Sequence, residues 1–177
     1  MELPSTILFE KREHVAIVTI HRPEAMNALT KEMLLGIDSV FAEIESDPDL
    51  WVSILTATGD KAFCCGMDLK EAIPAMTAGD SLGYDDPTKR QFSDVFKPII
   101  AAVNGLCIAG GLETVLHTDL RIAAEHAVFG LPEVTRAIIA GAGGTQRLPK
   151  LIPFGLALEL ILTGGKFDVK WAEKYGL

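Results

Sequence analysis

Apolar positions recur with two different spacings along this chain of 177 residues, and the switches between them predict alternating strands and helices. Val15 to Ile20 is rich in β-branched residues and predicts a strand, which His21-Arg22-Pro23 ends. Met33, Leu34, Ile37, Val40, Phe41 and Ile44 then share one helical face, with Thr30 as N-cap and Asp47-Pro48 as the stop. Val52 to Thr56 predicts a second buried strand, followed by a loop through Gly59-Asp60 and Gly66. The stretch from Ala72 to Arg90 mixes Gly, Asp and Pro and predicts a mobile loop with short helical pieces. Strands are expected at Ile99 to Val103, Leu120 to Ala124 and, briefly, Ala127 to Phe129. Helices are expected from Gly110-Gly111 to about His117, after Gly141-Ala142-Gly143-Gly144 through Leu148, and near Leu156 to Leu162 and Val169 to Tyr175. This order is α/β organisation in a single domain, residues 1–177. The last residues, Tyr175-Gly176-Leu177, form no clear terminal element, so the chain reads as the front portion of something longer.

Composition narrows the class. An apolar fraction of 49% and a mean hydropathy of +0.28 suit a compact globule, and no apolar run is long enough to span a bilayer. Met1-Glu2-Leu3-Pro4 resembles neither a signal peptide nor a transit peptide. Three cysteines, Cys64, Cys65 and Cys107, make no disulfide framework and point to a reducing cytoplasmic setting. A net charge of −8 disfavours nonspecific nucleic-acid binding. His14, His21, His117 and His126 show no metal-ligand spacing, so no metal is expected.

Glu113 and Glu133 carry the candidate chemistry. Each follows a Gly- or Pro-marked turn in an apolar stretch, where an ionised carboxylate is costly unless paired or used. Beside turns rich in backbone N–H groups, they suggest proton transfer next to an anion hole. Each has a plainer reading. Glu113 could be a solvated glutamate favouring a helix dipole, Glu133 an exposed carboxylate after a proline turn, and Gly110-Gly111 a device for tight helix–sheet packing. A dinucleotide site over Ile99 to Gly111 with Glu125 as ribose ligand fails on glycine spacing.

Six segments, in order, resemble the enoyl-CoA hydratase/isomerase (crotonase) family. They are His21-Arg22-Pro23-Glu24-Ala25-Met26-Asn27-Ala28-Leu29, Ala62-Phe63-Cys64-Cys65-Gly66-Met67-Asp68-Leu69-Lys70 and Lys97-Pro98-Ile99-Ile100-Ala101-Ala102-Val103-Asn104-Gly105. Then come Asp119-Leu120-Arg121-Ile122-Ala123-Ala124, Phe129-Gly130-Leu131-Pro132-Glu133 and Gly141-Ala142-Gly143-Gly144-Thr145-Gln146-Arg147-Leu148-Pro149. The resemblance covers the chain from about Val15 to Leu177. It implies a crotonase-like spiral of ββα units in two sheets, here short of the family's C-terminal helical region. It also implies an acyl-CoA thioester as substrate, no cofactor beyond that CoA, no membrane or nucleic-acid partner, and a homotrimer or homohexamer. By motif position the backbone amides of Met67 and Gly110 would be the oxyanion donors, and Glu113 and Glu133 the catalytic acids. Ala25, Met67, Asp68, Leu69, Lys70, Gly110 and Gly141 would bind substrate, largely through backbone groups. Having both glutamates tilts the expectation toward hydration of a 2-enoyl-CoA. The alternatives are an isomerase or other acyl-CoA lyase of the family, or a non-catalytic acyl-CoA-binding subunit.

Four residues depart from that pattern. Met67 stands where a small residue is common, and its thioether would reshape the acyl pocket. Ala109 replaces the first of three glycines and is strained if its φ is positive. Ala137 and Ala140 occupy places where Gly and Pro are frequent. Cys64-Cys65 is expected to pack beside the thioester loop, Arg147 to anchor a helix by hydrogen bonds, and Trp51 and Trp171 to pack.

Overall fold

A computed structural model describes residues 3–80 and 91–177. Strand β1 (Ile7–Arg12) pairs antiparallel with β2 (Val15–Ile20), and helix α1 (Lys31–Ser46) follows. The Thr30 hydroxyl accepts from Met33 N–H at 3.2 Å, so the expected N-cap is in place. Met33, Ile37, Val40, Phe41 and Ile44 are buried on one face of α1, as their spacing requires.

Three units then repeat one layout. β3 (Val52–Ala57), β4 (Ala62–Cys64) and α2 (Leu69–Ala78) form the first, and β5 (Ile99–Val103), β6 (Leu106–Ile108) and α3 (Gly110–Leu116) the second. β7 (Leu120–Ala123) and β8 (Val128–Gly130) open the third, followed by a 3-10 turn (Pro132–Arg136) and α4 (Gly144–Leu151). In each unit the first strand joins a five-stranded sheet, order β1-β2-β3-β5-β7. The second strand joins a four-stranded sheet completed, after α5 (Phe154–Thr163), by β9 (Lys166–Asp168), in the order β4-β6-β8-β9. Helix α6 (Val169–Tyr175) ends the described chain. This is the expected α/β spiral of ββα units.

Alternation in β2, β3 and β5 sends Ala16, Val18, Ile20, Leu55, Ala101 and Val103 into the core. α3 lies so close to the second sheet that a Cβ on Gly111 would stand 2.3 Å from the Cys64 carbonyl oxygen. Only glycine permits that approach, which brings Glu113 on α3 beneath the turn after β4.

Several expectations need correction. Leu69–Ala78 is a continuous helix even with Pro74 inside it: Asp68 caps its start, and Pro74, in the helix interior, forgoes one backbone bond. Residues 81–90 lie outside the described residues. β1, β4, β6 and β9 are additional strands, three of them only three residues long. Trp51 is not a core residue: it is 62% exposed and stacks flat on His14 at 3.6 Å. Trp171 does pack, between Phe167 and Tyr175. The Arg147 side chain is exposed and makes no hydrogen bond among the described residues, so the start of α4 is held by backbone bonds instead.

Candidate active site

Two turns meet where β4 and β6 end. The Cys64–Gly66 turn is tightened by Gly66 N–H donating to Cys64 Sγ at 3.4 Å, and Gly66 has a φ of +97°. The second is the Ala109 corner at the start of α3. A Cβ built on Gly110 would lie 3.6 Å from Met67 N, so the Met67 and Gly110 amides are close neighbours. Among the described residues neither amide donates to a protein acceptor. Two adjacent unspent N–H groups, one at a helix start, make a place where negative charge is favoured.

Ala109 joins the pieces of this centre. Its N–H donates to Gly130 O at 2.9 Å, three residues before Glu133, and its carbonyl accepts from Glu113 N–H at 3.0 Å. These bonds hold it at φ 52°, ψ −131°, conformational space that suits glycine. The strain anticipated at this residue is therefore present. Replacing Ala109 by Gly is expected to stabilise the fold by about 1 kcal/mol, strain relief outweighing glycine's entropy cost. Thermal unfolding at fixed pH checks this, and an unchanged or lower midpoint would refute it.

Glu113 and Glu133 are both buried, at 4% and 6% exposure. Glu113 Oε1 accepts from Ala142 N–H and Gly144 N–H, each at 2.8 Å. Both bonds fall on one oxygen, and Oε2 takes none among the described residues. Burial raises the Glu113 pKa, and the two amides pull the other way. Glu133 Oε2 is buried with no hydrogen-bond partner. Burial first, with the Glu113 charge adding to it and Glu133's own backbone N–H opposing, pushes Glu133 up to about 7. The two carboxylates thus share one electrostatic neighbourhood, and their environments differ: one is furnished with two amides from another loop, the other keeps a buried oxygen with no donor.

The other expected site residues gather around the first turn. Ala25 ends a short 3-10 turn (Pro23–Ala25), and its carbonyl faces the Cys65 thiol at 3.7 Å. The Asp68 carboxylate caps α2 through Lys70 N–H at 3.0 Å and pairs with Arg22 Nη1 at 2.8 Å, so its side chain is committed within the protein. Leu69 and Lys70 begin α2 with exposed side chains. Gly141 is exposed in the loop whose next residues hold Glu113. Sequence reasoning missed Ala142, Gly144, Leu29 and Arg22 as supports, although the Gly141–Gly144 run does signal exposed backbone N–H groups before a helix.

Burial pushes the Cys64 thiol up to about 12, raises Cys107 well above its ordinary value and raises Cys65 too, which disfavours the nucleophilic thiolate at all three. His21, His117 and His126 bond to Thr58 Oγ1, Glu113 O and the Asp60 and Asn104 carbonyls respectively. Among the described residues no group of His, Cys, Asp and Glu has the makings of a metal site, and no helix is long and apolar enough to cross a membrane.

Comparison with known proteins agrees with this fold. The sequence pattern of the family described as enoyl-CoA hydratase/isomerase matches residues 10–177. YngF of Bacillus subtilis is 47% identical over 175 residues, covering 97% of this chain and 67% of the relative. The (E)-benzylidenesuccinyl-CoA hydratase of Thauera aromatica is 43% identical over 173 residues, with the same coverage of both chains. The crystal structure of enoyl-CoA hydratase from Mycobacterium tuberculosis H37Rv superposes with a TM-score of 0.87 at 38% identity, covering 98% of this chain and 67% of that one. The chain thus spans about two thirds of the length of these relatives. Together with the two-sheet spiral, these matches place the chain in the enoyl-CoA hydratase/isomerase family.

Proposed function

We propose that this protein hydrates a 2-enoyl-CoA thioester to the 3-hydroxyacyl-CoA. One observation carries the reading: two buried carboxylates in unlike environments lie on segments that Ala109 bonds to the turn holding a pair of unspent backbone amides. Glu113, supplied with two N–H donors, is the group that stays ionised and takes a proton from water. The water oxygen bonds to C3 of the substrate, and the C2–C3 π electrons move onto the thioester oxygen as an enolate. The Met67 and Gly110 amides receive that charge. Glu133, bare and raised to about 7, delivers its proton to C2 as the enolate collapses, which completes the addition of one water.

Ala25, Asp68, Leu69, Lys70 and Gly141 are assigned to holding the thioester and CoA, Asp68 through its backbone because its carboxylate is engaged elsewhere. No cofactor beyond the substrate's own CoA enters the reaction. Three free cysteines favour a reducing compartment such as the cytoplasm, and a homotrimer or homohexamer is the proposed assembly. The test is loss of the enoyl ultraviolet absorbance of crotonyl-CoA on mixing with the protein, beside the CoA affinity. Turnover supports hydration. Saturable binding without turnover would instead make this a non-catalytic acyl-CoA binder.

A further inference from the structure

The peptide unit joining Gly66 to Met67 is trans, so its C=O and N–H point in opposite directions. Leu29 N–H donates to that C=O at 2.8 Å, and Asp68 N–H donates to Leu29 O at 2.8 Å. Gripping Gly66 O from the Leu29 side therefore aims Met67 N–H away from Leu29, with its nitrogen beside Gly110. A hydrogen bond to the carbonyl also polarises the amide of the same peptide unit and strengthens it as a donor.

Arg22 stands behind this grip. Its Nη1 donates to Ala28 O at 3.1 Å and pairs with Asp68 Oδ2 at 2.8 Å, so one guanidinium nitrogen joins the segment before Leu29 to the residue after Met67. The Arg22 and Asp68 side chains are only 23% and 17% exposed, which shields the pair from water more than an open surface pair. The loop carrying Arg22 is itself pinned. Asn27, 1% exposed, accepts from Arg22 N–H at 2.9 Å and donates to Thr58 O and Ala62 O at 3.0 and 2.7 Å.

We propose that Arg22 is a positioning residue for the oxyanion site: by clamping Ala28 to Asp68 it holds the Leu29 grip and so aims the Met67 amide. The Asp68 carboxyl, held below its usual range chiefly by its hydrogen bond from Arg22, stays charged for this task throughout the neutral range. This inference rests on the oxyanion reading above. It adds a residue that touches neither substrate nor reacting atoms.

Full-length variants Arg22→Gln, Arg22→Lys, Asp68→Asn and the double Arg22→Gln/Asp68→Asn test it. Asn caps a helix as well as Asp does, so Asp68→Asn removes the charge and leaves α2 capped. Arg22→Gln and Asp68→Asn are each expected to lower kcat about tenfold, less than loss of a whole oxyanion donor, with KM within about twofold. The double variant should be no worse than either single one, because the pair acts as a unit, and Arg22→Lys should recover part of the loss. A second readout needs no turnover: the carbonyl stretch of bound butyryl-CoA, isotopically labelled at its carbonyl carbon. The wild type should lower that frequency relative to free thioester, and Arg22→Gln should lower it less. If Arg22→Gln keeps the full frequency shift and kcat and loses only thermal stability, Arg22 is merely a staple. A rise in KM alone would also overturn the proposal. If the wild type itself shows no shift, the oxyanion reading falls and the positioning role with it, a result distinct from the failure of the clamp.

Discussion

Replacing Glu133 by Gln is expected to lower kcat for hydration by about 10³-fold, roughly 4 kcal/mol of barrier, with far less change in KM. Glutamine matches the shape of the side chain but has no proton to give to C2. The site demands that proton, because Glu133 Oε2 is buried without a partner and burial raises the group to about 7. Hydration uses the protonated form, so its rate should fall as pH rises through about 7, while the reverse dehydration should rise over the same range. Glu133→Gln should remove this limb in both directions. Stability has a matching sign. The unfolded carboxyl titrates near 4.5 and the folded one near 7, so in between the native state holds the extra proton and stability falls as pH rises. Melting temperatures at about pH 5 and about pH 8 should therefore differ less in Glu133→Gln than in the wild type. Retention of kcat within tenfold in the variant would refute the assignment.

Glu113→Gln is expected to cut hydration by about 10²–10³-fold yet spare a double-bond shift between 3-enoyl and 2-enoyl thioesters. The carboxamide keeps an oxygen for the Ala142 and Gly144 amides, so the loop before α4 stays anchored. The base for water is lost. A double-bond shift needs only removal and return of a proton on the same face, which Glu133 supplies. In the wild type the acid limb of the hydration profile reports Glu113, raised above 4.5 by burial, and hydration should rise with pH through it. The variant should lack that limb. The two carboxyls sense each other's charge, so both limbs belong to the pair. Equal loss of both activities would mean that Glu113 serves both reactions.

Much of this centre was legible before any coordinates. Glu113 and Glu133 stood out because carboxylates in apolar stretches are costly, and both are buried. The concern over Ala109 followed from the family resemblance, against which it replaces the first of three glycines, and φ is indeed positive there. The apparent loop after Gly59 hid β4, and β6 went unread between the Ile99–Val103 strand and the helix at Gly110, because three residues carry no readable period. Arg22 looked like the end of a strand and Asp68 like a CoA contact, since nothing in their spacing reveals that they pair across 46 positions of chain.

The chain by itself determined β2, β3, β5 and β7, the α1 face, its Thr30 cap and the α/β order, because these rest on contacts between residues a few places apart. Tertiary structure alone decided the short strands β4, β6 and β9, which exist only as partners in a sheet. It also decided the difference between the two glutamates. Whether a carboxylate is bare or furnished with donors depends on loops 29 and more residues away, and only packing brings Ala142 and Gly144 to Glu113 while leaving Glu133 Oε2 alone.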